Sequence, residues 1–248
     1  MTPALIVRKI AIVAALDREV ARLVKGWSAT TVKAQNRTIK IWEDRSTLVA
    51  CAGIGPICAR IAAESLYQHA RGNVSLYISA GFAGALQASL KVGDVVRPAT
   101  VISDADGQRV RTARGESVLI SAGAIASAEV KQIFAHKYDA AAVDMEAYSV
   151  GDVASIYKIP FVAIKAISDE LNFAMPPLGR FVNDAGQFNT ASFLGYAAVR
   201  PWLWPSTIQL GKNGSRAADS LYAALKGAIA QYTASEVGLY NKDHAINN

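Results

Sequence analysis

Three acidic residues stand where an α/β sheet would bring chemistry together. Glu19 follows the apolar run Lys9–Ala15, Glu146 follows Ala140–Val143, and Asp169 follows Phe161–Ile167. One acid just past a strand is ordinarily a helix cap, or a first-turn residue favoured by the helix dipole. Three at corresponding strand ends converge on one crevice outside the carboxyl edge of the sheet, where open α/β folds bind ligands. Carboxyl groups on opposite faces of a reacting centre can divide acid–base work. One protonates a leaving group while the other activates water, as in glycoside hydrolysis.

The elements that must position these acids read as strands alternating with helices. Lys9–Ala15 is a nearly continuous apolar run of strand length, followed by a helix-like pattern in Glu19–Val24. Thr38–Trp42 and Thr47–Cys51 form an expected strand pair around the charged turn Glu43–Ser46. After the turn Gly53-Ile54-Gly55, residues at helical spacing cover Ile57–Ala70, including Ile57, Ile61, Leu66 and His69. Leu76–Ala80 reads as a buried strand ending at Gly81, Asp94–Val101 as another, and Val118–Ser121 as the start of the next. Helices are expected over Ser127–His136 and over Glu146–Tyr157, the latter stopped before Pro160. Ala140–Val143 and Phe161–Ile167 carry the continuous apolar character of strands covered on both faces. The expected fold class is α/β, a three-layer sandwich around a twisted, mostly parallel but mixed central sheet. No internal repeat or linker divides the 248 residues, so residues 1–248 are read as one domain.

Composition narrows the function classes. With 52% hydrophobic and 19% charged residues the chain has the makings of a packed core, not of a disordered segment. No apolar run approaches the ~18 residues of a spanning helix. Met1–Val7 is apolar but has no preceding basic region and is broken by Arg8 and Lys9, so no signal peptide is read and a cytoplasmic location is expected. Cys51 and Cys58 make neither a disulfide framework nor a zinc site, and His69, His136 and His244 form no ligand pattern, so no metal is expected. The net charge of +6 comes from scattered basic residues without interleaved aromatics, which argues against a nucleic-acid groove. The turn Ala14–Glu19 has no glycine to cradle a pyrophosphate, which disfavours a dinucleotide-binding dehydrogenase, and no cofactor is implied.

Several segments, in order, carry a resemblance. Glu19-Val20, Ala52-Gly53-Ile54-Gly55, Ala80-Gly81-Phe82-Ala83-Gly84-Ala85-Leu86 and Leu90-Lys91-Val92-Gly93-Asp94-Val95-Val96 are similar to the nucleoside phosphorylase superfamily. Val143-Asp144-Met145-Glu146-Ala147 and Pro160–Asp169 continue the match, and over residues 9–170 the set most resembles the 5′-methylthioadenosine/S-adenosylhomocysteine nucleosidases. The tail differs. Met175-Pro176-Pro177-Leu178, Asp184-Ala185-Gly186 and Val199-Arg200-Pro201, with a final helix and a short Val101–Val118 connection, resemble the hopanoid-associated phosphorylase branch. That branch is linked to removing adenine from an adenosylated hopanoid lipid.

The resemblance implies a purine nucleoside as small-molecule substrate and a homodimer. It makes Asp169 the carboxylic acid, held neutral, that protonates nitrogen 7 of the leaving base, with Ser168 in support. Glu19 would activate water, Glu146 would accept hydrogen bonds from the ribose hydroxyls, and Met145 would pack on the sugar. The Phe82, Ala83 and Gly84 turn would border the substrate. Ile125 and Ala126 stand where the family presents an aromatic ring to the purine, so apolar contact replaces stacking there, unless Ile125 is simply core. Ser79 occupies the position of an expected phosphate-binding arginine, and Phe82 replaces a serine. Glu19 adds a negative charge that would repel a phosphate ~4 Å away by about 4 kcal/mol at an effective dielectric of 20. Water is therefore the favoured nucleophile. Phosphorolysis is the alternative, with Arg18 and Lys165 as compensating cations, and a nucleoside-binding protein without activity is a third reading. Arg200-Pro201-Trp202-Leu203-Trp204 pairs a cation with two aromatics, either as a packed corner between helices or as a weak membrane-surface contact.

Overall fold

The computed structural model describes residues 8–183 and 186–245, with side chains as far as residue 234. Met1–Val7, Asp184-Ala185 and the His244 side chain, all drawn on above, lie outside the described residues.

The sheet has eleven strands among the described residues, in the order β2-β3-β4-β1-β5-β10-β9-β7-β8, where β8 is Arg109–Arg111; β11 branches from β5 and carries β6 on its other side. Its centre is β1 (Lys9–Ala14), β5 (Val74–Ala85) and β11 (Phe161–Asp169), all parallel. To one side β4 (Thr47–Cys51) pairs parallel with β1, and β3 (Arg37–Glu43) pairs antiparallel with β4. To the other side β10 (Ala142–Asp144), β9 (Ser117–Ser121) and β7 (Pro98–Ser103) run parallel to one another. The mixed, mostly parallel α/β architecture read from the sequence is present.

The apolar runs are continuous because helices cover both faces. Ala11 and Val13 of β1 join a core with α2 (Pro56–His69) and α4 (Ala147–Ile156). Ile10, Ile12 and Ala14, pointing the other way, pack with Ala217, Leu221 and Leu225 of α6 (Trp204–Ala245). Alternate residues thus enter opposite layers, as strand pleating dictates. A third cluster joins Phe134 of α3 (Ala128–Tyr138) to Ile102 and Ile120 of β7 and β9.

Three expectations about the elements need correction, and one strand has no counterpart among them. The helix after β1 is only the turn α1 (Asp17–Val20), beyond which the amides of Leu23 and Val24 both donate to the Val20 carbonyl. Strand β2 (Ser28–Ala34) carries mostly exposed residues and pairs only with β3, so it lacks the apolar signature of a strand. The hairpin β2–β3 turns at Gln35 and Asn36, both at positive φ, the geometry that suits a two-residue hairpin. Strand β5 does not end at Gly81 but runs on to Ala85, its ladder with β11 continuing through Gly84. At Gly81 φ is +146°, and a Cβ there would meet Glu19 Oε1 at 3.2 Å, so glycine lets the strand pass the carboxylate. The expected strand Asp94–Val101 divides into β6 (Val95–Val96), which pairs with β11, and β7, which pairs with β9. On α2, Ile61 and Leu66 are buried while Ile57 is 66% exposed.

Candidate active site

The carboxyl ends of β1, β10 and β11 open into a cavity of about 400 Å³. All ten residues singled out in the sequence line it: Glu19, Phe82, Ala83, Gly84, Ile125, Ala126, Met145, Glu146, Ser168 and Asp169. Ile125 is half-buried on the cavity wall, while Ala126 belongs also to the cluster around Phe134.

Glu19 is held by backbone amides. Its Oε2 accepts from Ala15 (3.0 Å) and Leu16 (2.9 Å), and its Oε1 from Phe82 (3.1 Å). The bond to Leu16 is half of a capping box, so the acid does serve the turn it sits in. A carboxylate oxygen has two lone pairs, and one donor on Oε1 leaves room for another. Burial pushes the Glu19 carboxyl above the usual range, against the pull of the Leu16 amide and the Lys165 ammonium.

Glu146 stands at the N-cap position of α4 but does not cap it. That duty falls to Asp144, whose Oδ2 accepts from the amides of Ala147 (2.9 Å) and Glu146 (3.3 Å). Glu146 instead reaches across to the glycine turn, where Gly55 N–H donates to Oε1 at 2.9 Å. Its carboxyl is pushed up to about 7, first by burial and then by the neighbouring Asp144 charge, with Lys165 opposing.

Two lysines lie fully buried at the site. Lys165 of β11 pairs with Asp144 at 2.8 Å, both side chains 0% exposed. Burial pulls against the Lys165 charge, but Asp144, Glu146 and Glu19 together hold the ammonium above its ordinary range. Lys131 of α3 pairs with Asp169 Oδ2 and donates to the Glu170 carbonyl at 2.8 Å. Ser168 Oγ donates to the other oxygen, Asp169 Oδ1, at 2.7 Å. The carboxyl that the resemblance makes the proton donor thus meets a buried lysine that the sequence reading did not place beside it.

Asp144 and Lys131 were not singled out in the sequence as site residues. Lys131 left one trace, a lysine three residues before Phe134 on the apolar face of its helix. Asp144 was hidden inside the Asp-Met-Glu motif, where the second acid drew the attention. Of the residues weighed for phosphate, Ser79 is fully buried and absent from the cavity lining, and among the described residues its hydroxyl has no hydrogen-bond partner. Phe82 lines the cavity beneath the Arg18 guanidinium, 5.7 Å from the ring centroid.

Residues after 170 close the cavity with an apolar wall that includes Met175, Leu178, Phe188, Phe193, Leu194 and Leu210. The wall is tied to the glycine turn, where Ile54 N–H donates to the Gly186 carbonyl at 2.8 Å. Trp202, in the turn before α6, is 71% exposed, and Trp204, the first residue of α6, is 50% exposed, with its Nε1 donating to the Ala197 carbonyl at 3.0 Å. Among the described residues no helix is long and apolar enough to cross a membrane. Among the same residues no group of three His, Cys, Asp or Glu side chains is placed to hold a metal ion.

Known proteins are similar to this chain in sequence and in fold. A 5′-methylthioadenosine/S-adenosylhomocysteine nucleosidase of Haemophilus influenzae (strain PittEE) is 29% identical over 199 residues, covering 65% of this chain and 86% of its own. The solved nucleosidase of that name from Helicobacter pylori superposes with a TM-score of 0.66 at 16% identity, over 90% of this chain and 98% of its own. The futalosine hydrolase of Helicobacter pylori strain 26695 superposes with a TM-score of 0.67 at 17% identity, over 92% and 100%. At these identities the two structures speak for the fold. The sequence profile of the phosphorylase superfamily matches residues 9–135 and 114–191, well over half of the chain, and the chain belongs to that superfamily.

Proposed function

We propose that this chain is a purine nucleosidase, hydrolysing the N-glycosidic bond of an adenosine derivative to adenine and the free 5-substituted ribose. The carrying observation is the convergence of Glu19, Glu146 and Asp169 on one cavity, beside a hydrolase-like relative. In this reading Glu19 Oε1 takes a proton from the attacking water, Glu146 accepts bonds from the ribose hydroxyls, and Asp169 passes a proton to the base. Met145 packs on the sugar, Ser168 steadies Asp169, and Ile125 and Ala126 border the purine. Methylthioadenosine and S-adenosylhomocysteine are the proposed type of substrate.

The charge balance favours water over phosphate. Each buried lysine pairs directly with an aspartate, Lys131 with Asp169 and Lys165 with Asp144, which leaves Glu19 and Glu146 without a direct ion pair and the site with an excess of carboxyls. Arg18 is the remaining cation among the described lining residues, and it lies over Phe82. The apolar wall gives specific support to a second reading, a nucleoside such as adenosylhopane with a large apolar 5′ group, cleaved with phosphate as nucleophile. Trp202 and Trp204 beside Arg200 fit a weak membrane contact in that case. Exposed Ile57 and Ile156, on the mutually packed helices α2 and α4, fit a homodimer. The deciding experiment follows adenine release from methylthioadenosine, S-adenosylhomocysteine, futalosine and a 5′-alkyl adenosine, with and without phosphate. Free sugar without phosphate is the expected product. Obligatory phosphate dependence with a sugar 1-phosphate would replace hydrolysis by phosphorolysis.

A further inference from the structure

The Lys131–Asp169 pair is built with more care than a structural ion pair needs. Lys131 is 0% exposed, and its ammonium meets Asp169 Oδ2, the Glu170 carbonyl at 2.8 Å and the Asp169 carbonyl at 3.5 Å. Three acceptors meet the three N–H groups of the ammonium, so it reaches a ligand only through Asp169. Strand β5 makes room for the pair. A Cβ at Gly84 would lie 2.8 Å from Lys131 Cε and 2.9 Å from Asp169 Oδ2. Helix α3 is anchored at Ser127, whose Oγ accepts from the Val130 amide at 3.3 Å, so Lys131 enters from a fixed first turn.

An ion-paired carboxylate has no proton of its own to give, while the bond to be broken needs one. We propose that Lys131 is a positioning residue that supplies the proton Asp169 passes to the leaving base, an inference that rests on the nucleosidase reading. As the glycosidic C–N bond breaks, its electron pair goes to the purine. The basic purine nitrogen takes a proton from the Asp169 carboxyl, and Asp169 takes one from the Lys131 ammonium. Lys131 is left as a neutral amine and Asp169 as a carboxylate. The attacking water yields its proton to Glu19, which releases it to solvent, and Lys131 regains one from solvent after the base departs. The relay delivers its proton as the departing base gains negative charge.

The test uses leaving groups of unequal need. Methylthioadenosine requires a proton on its base, whereas p-nitrophenyl β-riboside departs as a stable anion without one. A guanidinium keeps the positive charge but does not give up its proton. Lys131→Arg should therefore slow adenine release by about 10²-fold or more, the range of general acid catalysis. Its rate on p-nitrophenyl β-riboside should stay within about threefold of the parent. Lys131→Gln keeps a donor facing Asp169 but has no acidic proton to pass on, and should show the same split if the arginine does not fit. Parent-like adenine release by Lys131→Arg would overturn the relay, since charge alone would then suffice. Equal losses on both substrates would also overturn it, marking the pair as structural. A parent that releases no adenine from any nucleoside overturns the nucleosidase reading itself, and this is seen before any variant is made.

Discussion

The two sides of the cavity are built on opposite principles. On the sheet side every acid is held by several partners: Glu19 by three amides, Asp144 by Ser121, Lys165 and two amides, Asp169 by Ser168 and Lys131. On the helical side the lining is mostly apolar, from Leu178, Phe188, Phe193 and Leu210, with the hydroxyls of Thr190 and Thr207 as its polar atoms. Polar networks of the first kind are fixed in geometry because a lost partner leaves a buried charge or donor unmet. Apolar surface of the second kind tolerates exchange at the cost of area alone. Chemistry is thus specified on one side and substrate shape on the other, and the two should respond differently to substitution.

The largest effect is expected at Asp169. Asp169→Asn keeps the size but cannot deliver a proton, so turnover should fall ~10²–10⁴-fold, and with the buried Lys131 ammonium left without its carboxylate the melting temperature should fall as well. Steady-state rates together with a thermal melt test this, and an active variant would reduce Asp169 to a structural role. Next come Glu19 and Glu146, which should part company. Glu19→Gln should lower single-turnover rate by ~10²-fold with nucleoside affinity largely kept, because water activation matters only in the transition state. Glu146→Gln should weaken binding as well, and a 2′-deoxy substrate should erase much of its difference from the parent. Equal loss of affinity in the two would reverse their assignments.

A smaller effect is expected from pH. Glu146 must be ionised to accept from the ribose, and its carboxyl is raised to about 7, so nucleoside affinity should rise with pH through about 7 and flatten above it. Below that point the loss should approach tenfold per pH unit, a slope that titration calorimetry resolves and that Glu146→Gln should abolish. Stability runs the other way. The folded chain holds this proton more tightly than the unfolded one does, so the contribution present below the ordinary carboxyl value of 4.5 is lost as pH rises through about 7. The smallest effect belongs to the helical side. Leu210→Ala should raise KM for a 5′-alkyl adenosine by about tenfold or less, the equivalent of ~1.4 kcal/mol of lost apolar contact. It should leave the rate on 5′-deoxyadenosine nearly unchanged. An effect on both would mean that the wall also shapes the chemistry.

The sheet side was the legible one. Apolar runs of strand length mark β1, β10 and β11 because both of their faces are covered, and an acid directly after such a run stands out. Strand β2 was not legible, since Ser28, Thr30 and Thr31 at a sheet edge face solvent and carry no apolar alternation. Gly81 reads as a stop although its missing Cβ lets β5 continue past Glu19. Lys131 escaped because a lysine in a sequence reads as solvent-facing, and only the fold brings Asp169 from 38 residues away to meet it. The apolar wall escaped for a different reason: Leu178, Phe188 and Leu210 come from separate segments whose common destination no local pattern announces.

Strand β5 shares ladder bonds with β1 along Val74–Ser79, with β11 along Tyr77–Gly84, and with β10 at Gly84 and Ala85. One twelve-residue segment therefore threads the parallel centre of the sheet to the strands that carry the other acids. Fraying at an edge, as at the solvent-facing β2, does not reach it. The amides of Ile78 through Ala83 should exchange with deuterium only through global opening, at the full free energy of unfolding, while those of β2 exchange by local opening. The reacting centre would then have no partly folded form in which it alone is undone. Denaturant and heat should extinguish activity and tertiary structure in a single step.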